Sequence, residues 1–266
     1  MPSLEQITIY PIKSCSGINL ISAEVQDRGF PLDRRWVLID TNGNFFSQRK
    51  VAELSLVTIT MTDKHLKVSS PGHDALMLPI KMVHSERVDV QIWKDTVNSW
   101  LVSTEADEWF SQVLQQQVRL VHMDRDVNRK LVKKKLTQEK SHEVSFADGY
   151  PYLLTNQASL DDLNSRLDQA VGMDRFRQNI VVSGFEAFAE DHWNILRIGA
   201  VDFQVVKPCA RCQVTTINQQ TGISSKEPLK TLATYRNQDG KVMFGMNLVA
   251  LSQGTIKINA PVQVVK

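Results

Sequence analysis

Trp36-Val-Leu-Ile-Asp-Thr-Asn-Gly-Asn-Phe-Phe46 decides the fold class. Four apolar residues run into a polar stretch, and two aromatics follow it. Asn and Gly tolerate positive φ at little cost, so Asn42-Gly43 between apolar runs is a strong hairpin signal. The same pattern spreads outward on both sides. Ile7-Thr-Ile-Tyr-Pro-Ile12 is a short β-type run ending near a proline. Residues 56–60, 66–68 and 76–78 follow at similar spacing, with Pro71-Gly72 as one of the turns between them. Several short strands at such intervals predict a barrel or a sandwich.

Beyond residue 100 the pattern changes. Thr104 suits a helix N-cap, and Glu105, Asp107 and Glu108 place acids in the first turn, where the helix dipole favours them. Trp109, Val113 and Leu114 then share one face at helical spacing. A second helix is predicted from Ser159, with Leu160, Leu163 and Leu167 on one stripe. Strands return at 179–183, in a hairpin of 195–198 and 201–206 around Gly199, and at 213–217, which is rich in β-branched residues. A short helix over 226–236 and strands at 248–251, 255–258 and 262–265 complete the pattern. The expectation is an α+β chain, predominantly β. The shift to helix places a boundary near residue 100.

Bulk properties narrow the function classes. The 266 residues are 42% hydrophobic and 23% charged, an ordinary globular balance with enough chain for a real core. A net charge of +2 is too small to point to nucleic acid. The basic run Lys130 to Lys135 lacks interleaved aromatics and reads as a solvated face rather than a nucleic-acid site. No basic segment followed by an apolar one marks a signal peptide, and no apolar run approaches the ~20 residues of a membrane span. The expected setting is soluble, reducing and cytoplasmic, without a membrane or nucleic-acid partner. Three cysteines, Cys15, Cys209 and Cys212, are too few for a disulfide scaffold or for a four-thiolate iron–sulfur cluster.

Chemistry concentrates in a few short segments. Lys207-Pro-Cys-Ala-Arg-Cys212 contains a CxxC pair bracketed by two cations, which favour a thiolate. No second ligand pair stands at zinc-finger spacing, and the motif lies between strand-like runs, unlike a thioredoxin-type dithiol at a helix start. On spacing alone, two small buried hydrophobes account for the pair equally well. Pro11-Ile-Lys-Ser-Cys-Ser-Gly17 offers a cation, a hydroxyl and exposed amides to a phosphate, although an ordinary turn explains it too. Asp33-Arg-Arg-Trp36 and Phe176-Arg-Gln-Asn179 each supply an arginine fork suited to phosphate or carboxylate, or to a plain surface ion pair.

Taken in order, these segments resemble one family: MOSC domain proteins with an N-terminal β-barrel domain, and within it the amidoxime reducing components of mitochondria and their bacterial relatives. The resemblance rests on six segments. They are Tyr10-Pro-Ile-Lys-Ser14; Asp33-Arg34; Ala158-Ser-Leu-Asp-Asp-Leu-Asn-Ser-Arg166; Phe176-Arg177 with Asn179; Cys209-Ala-Arg-Cys212 followed by Thr215-Thr216; and Lys226-Glu-Pro-Leu-Lys-Thr-Leu232. It implies a β-barrel-like domain over 1–100 followed by a β-barrel domain with peripheral helices over 101–266. It also implies a molybdenum cofactor, molybdopterin with its metal, and Cys212 as the protein ligand to that metal and the catalytic centre. Lys13, Ser14, Arg34 and Arg177 are then expected to hold the pterin and its phosphate, with Thr155, Asn156 and Asn179 lining the same pocket and Cys209 in a structural role. The implied reaction is the reduction of small N-hydroxylated compounds: amidoximes, hydroxylamines and N-hydroxylated bases. The chain shows no cysteines for a 2Fe-2S cluster of its own. Electrons are expected from a separate protein, or from a C-terminal ferredoxin-like domain that some relatives carry and this chain lacks. A different reading makes the chain a sulfur-carrying or cofactor-delivery domain in which Cys212 bears a persulfide.

Overall fold

A computed structural model describes residues 1–83, 86–131 and 142–266. The chain is predominantly β, as expected. The hairpin from which the fold was read forms: strand Trp36–Ile39 turns at Asp40, and the turn closes through Asp40 N to Asn44 O and Phe46 N to Leu38 O. Gly43 takes φ 81°, and a Cβ there would stand 2.4 Å from the carbonyl oxygen of Asp89, so only glycine fits. All four residues of the strand are buried. Trp36 and Leu38 face one apolar cluster and Val37 and Ile39 another, which is why the strand reads as an unbroken apolar run instead of an alternating one.

Two sheets build this part of the molecule. Four antiparallel strands stand in the order Trp36–Ile39, Arg119–His122, Asp95–Leu101 and Arg87–Ile92. Three more form a meander, Thr58–Met61, His65–Ser69 and Leu76–Pro79. Helix α1 (Thr104–Leu114) buries Ala106 and Phe110 in the cluster between them. Its N-cap is Ser103, whose hydroxyl accepts from Ala106 N, one residue ahead of the expected Thr104.

The larger layer is a nine-stranded sheet. Its order is Ile18–Leu20, Ser3–Ile9, Ile180–Ser183, Tyr152–Asn156, Lys241–Ala250, Val201–Ala210, Ile195–Ile198 and Val262–Val264, with Asn237–Gln238 beside Lys241–Ala250. Tyr152–Asn156 and Ile180–Ser183 run parallel, and helix α2 (Gln157–Asn164) lies in the crossover that a parallel pair requires. Leu160 and Leu163 pack that helix on Val181, Phe176 and Phe244. A third helix, α3 (Leu229–Tyr235), buries Leu232 in the same cluster. Strand pairing crosses residue 100 in both directions. Ser3–Ile9 stands inside the large sheet, Ser22–Val25 pairs with Gly254–Lys257, and Arg119–His122 belongs to the four-stranded sheet.

One predicted strand is a helix. Residues 213–217 were expected to be extended on their β-branched content, but Gln213–Thr216 is a 3-10 turn. Thr215 returns both its amide and its hydroxyl to the carbonyl of Cys212, and the Thr216 hydroxyl donates to Gln213 O. Local side-chain bonds to the backbone outweigh the β preference of threonine here. Of the basic run at Lys130 to Lys135, residues 132–135 lie outside the described residues.

Candidate cofactor site

A cleft opens where several parts of the chain meet, among them the loop after Ser3–Ile9, the turn before Trp36, the segments 47–49, 147–150 and 176–179, and the end of Val201–Ala210 with the residues after it. Its lining includes Lys13, Ser14, Arg34, Arg177, Asn179, Cys209 and Cys212. Candidate residues spread over two hundred positions of sequence therefore share one wall. Thr155 does not reach it. It is fully buried on strand Tyr152–Asn156, whose Leu153 lines the cleft instead. Asn156 is also buried, and it caps helix α2.

Two of the lining arginines stack on a buried tyrosine outside the lining. Arg34 and Arg177 place their guanidinium carbons 4.6 and 4.3 Å from the centre of the Tyr10 ring. Arg34 donates to Asp33 Oδ2 at 2.7 Å, Asn179 Oδ1 at 3.1 Å and Arg177 O at 2.9 Å. Asp33 in turn accepts from Tyr10 N, and Asn179 donates to Thr8 O. Burial works against the Arg34 charge, but Asp33 outweighs it and the pKa rises. Arg177 donates to Cys15 O at 2.8 Å and to no carboxylate among the described residues. Burial lowers its pKa, so an anion entering the cleft would restore what the protein itself does not supply. Burial also pushes the Tyr10 phenol up to about 12 and keeps it neutral.

Lys13 forms a second node. Its Nζ donates to Phe146 O at 2.8 Å and Asp148 Oδ1 at 2.5 Å, while Arg49 holds Asp148 Oδ2 at 3.0 Å. Burial works to raise the Asp148 pKa, but Lys13 and Arg49 outweigh it and hold the carboxyl well below the usual carboxylate range. Three cleft residues adopt left-handed backbone: Ser14 (φ 74°), Arg34 (φ 50°) and Arg177 (φ 52°). Such conformations cost about 1–3 kcal/mol each in residues other than glycine and gather at functional sites.

Cys212 stands half-buried at the mouth. Thr215 fixes its carbonyl, and the neighbouring Gln213 side chain donates to Arg49 O. Arg211, expected to serve the pair, donates to Cys209 Sγ at 3.0 Å and to Phe176 O. Arg49 lines the same cleft as Cys212: burial opposes its charge, but Asp148 raises its pKa. Sequence reasoning missed Arg49 and Asp148 as cleft residues, and Tyr10 as the ring against which Arg34 and Arg177 lie. Tyr10 carried a signal, an aromatic next to Pro-Ile-Lys-Ser, whereas Arg49 and Asp148 become partners only across 99 positions of chain.

The lining fits a phosphate-bearing cofactor that takes a thiolate ligand. It carries five cations, Lys13, Arg34, Arg49, Arg177 and Arg211, against the single carboxylate of Asp148. Arg211 Nε is buried without a partner. A soft thiolate at the edge of such a cationic cleft suits a high-valent metal that already carries sulfur ligands.

Fold and cleft thus define a two-part β protein with a cationic, cysteine-edged pocket between early and late segments of its chain. The chain belongs to the MOSC domain family: the MOSC domain matches residues 141–263, and the MOSC N-terminal beta barrel domain matches residues 1–117. It is 36% identical to mitochondrial amidoxime reducing component 2 of Rattus norvegicus over 98% of this chain and 82% of that protein. Against mitochondrial amidoxime-reducing component 1 of Homo sapiens the identity is 34%, over 98% and 82% of the two chains. Among solved structures it is similar to the YUAD protein from Bacillus subtilis, with a TM-score of 0.45 and 9% identity over 98% of this chain and 94% of that one.

Proposed function

We propose that the chain is a molybdenum-cofactor-dependent reductase of N-hydroxylated compounds such as amidoximes, hydroxylamines and N-hydroxylated bases. The observation that carries the reading is the convergence of Lys13, Ser14, Arg34, Arg177 and Asn179 on the cleft that Cys212 edges. The printed names of the relatives, amidoxime reducing components, point the same way. When bound, the cofactor supplies a two-electron centre able to accept the oxygen of an N–OH group. Overall, the N-hydroxylated compound, two electrons and two protons give the amine or amidine and water.

The chain's own residues hold and shield. Lys13, Arg34 and Arg177 offer charge to a phosphate, Ser14 a hydroxyl, and Asn179 braces Arg34. Thr155, expected to bind the cofactor, lies buried outside the cleft lining and is not assigned a cofactor contact. Cys212 is the thiolate ligand to the metal, and Cys209, tied to Arg211, is structural. Electrons come from outside these 266 residues, from a separate electron-transfer protein or a ferredoxin-like domain. The proposed setting is cytoplasmic, and the proposed domain division is at about residue 100.

The test is metal and pterin content after purification from a cofactor-competent host, with and without substitutions. Cys212→Ser is expected to lose bound molybdenum and N-hydroxylamine reduction, while Cys209→Ser keeps most of both. Equal losses in the two variants would overturn the ligand assignment. Absence of molybdenum and pterin from the intact chain, with a persulfide on Cys212 by mass spectrometry, would favour the sulfur-carrying reading instead.

A further inference from the structure

Trp93 occupies an unusual position for a tryptophan. Strands Arg87–Ile92 and Asp95–Leu101 are joined by Trp93-Lys94, with Ile92 paired to Asp95. Two-residue hairpin loops favour glycine, asparagine or aspartate where φ is positive. Trp93 holds φ 56° and stays 48% exposed. A large side chain is thus held half-exposed on left-handed backbone.

Its neighbours belong to the cofactor cleft. The indole Nε1 donates to Asp148 Oδ1 at 3.3 Å, and the Arg49 guanidinium lies 4.8 Å from the ring centre. Both partners line the cleft, as Cys212 does. Phe45 meets the Trp93 ring edge-on at 5.2 Å, and Lys13 Nζ lies 5.2 Å from the centre of the Phe45 ring. The carbonyl of Trp93 is pinned by Gln91 Nε2 at 2.8 Å. The result is an aromatic shelf of Phe45 and Trp93 packed against two cations of the cleft, Lys13 and Arg49.

We infer that Trp93 is a specificity-determining residue: its open surface receives the planar aromatic part of a substrate whose N–OH group points toward Cys212. The inference rests on the reductase reading for the reaction, but the shelf itself makes a binding prediction independent of turnover. Aromatic N-hydroxylated compounds are preferred over aliphatic ones with the same reacting group, because ring stacking adds to binding while the N–OH contacts stay the same.

Benzamidoxime and acetamidoxime isolate that difference, since they share the amidoxime and differ by a ring or a methyl. The holoenzyme and its Trp93→Gly, Trp93→Asn and Trp93→Phe variants are compared in two ways: equilibrium binding by calorimetry, and the ratio of kcat/KM for the two compounds. Glycine and asparagine suit the backbone and remove the ring. Phenylalanine keeps a ring but lacks the indole N–H. The expected result is that benzamidoxime affinity and the kcat/KM ratio each fall about fivefold in the Gly and Asn variants, with most of both retained by Phe. Unchanged values in Gly and Asn, or wild-type binding no tighter for benzamidoxime than for acetamidoxime, would overturn the inference. So would a Phe variant as impaired as Gly, because the indole bond to Asp148 would then be the cause. If neither compound is reduced but the binding difference persists, the reductase reading fails and the shelf stands.

Discussion

At the scale of single residues, Asp148 is a half-exposed carboxylate gripped by two cations of the cleft. Its two oxygens are shared between Lys13 and Arg49, and both cations keep it ionised. The sign of the consequence follows from linkage. A carboxyl with a depressed folded pKa contributes stability that is present above its unfolded value and lost as pH falls toward the folded one. Wild type is therefore expected to exceed Asp148→Asn in unfolding free energy by a constant margin from neutrality down to about pH 4, the unfolded aspartate range, and by a shrinking margin below it. Denaturant unfolding at a series of pH values checks this, and a margin that grows on acidification would contradict it. Ser14, Arg34 and Arg177 illustrate what was and was not legible. Their side-chain chemistry, a hydroxyl and two guanidinium forks, was visible in the sequence. Their left-handed backbone was not, because nothing local distinguishes a Ser or Arg held at positive φ by distant contacts.

At the scale of elements, helix α2 shows how a cap ties the crossover to the rest. Asn156 accepts from Ala158 N, while its amide donates to Glu186 O and to the buried Glu190 carboxylate, which Ser159 also contacts. Asn156→Ala removes the cap and leaves Glu190 short of a partner. A loss of about 2 kcal/mol is expected in chemical denaturation, at the upper end for cap removal. The element reading from sequence held where one signal dominated: the Asn-Gly hairpin, the acidic start of α1, the hairpin around Gly199. It failed at Gln213–Thr216, where hydroxyl-to-backbone bonds reverse the β-branched preference, and it passed over Trp93-Lys94, a turn without a single turn-forming residue. The same blindness hid the aromatic shelf, since Trp93 finds Asp148 across 55 positions of chain.

At the scale of the whole molecule, the strand order makes the two halves interdependent. Ser3–Ile9 fills a place between Ile18–Leu20 and Ile180–Ser183, so a fragment of residues 101–266 leaves an apolar strand edge open in its principal sheet. That fragment is expected to aggregate when expressed alone and to become soluble when residues 1–100 are supplied in trans. A soluble, cooperatively unfolding 101–266 fragment would refute the dependence. The contact of Arg177 with Cys15 carries the matter into the time of synthesis. The two residues are 162 positions apart. At ~5–20 residues per second, the Lys13 side of the cleft leaves the ribosome on the order of ten to thirty seconds before its Arg177 side, and Cys212 comes later still. A phosphorylated ligand meeting the nascent chain finds half a pocket and no thiolate. On the proposed reading, cofactor capture follows the synthesis of Cys212 rather than accompanying that of Lys13.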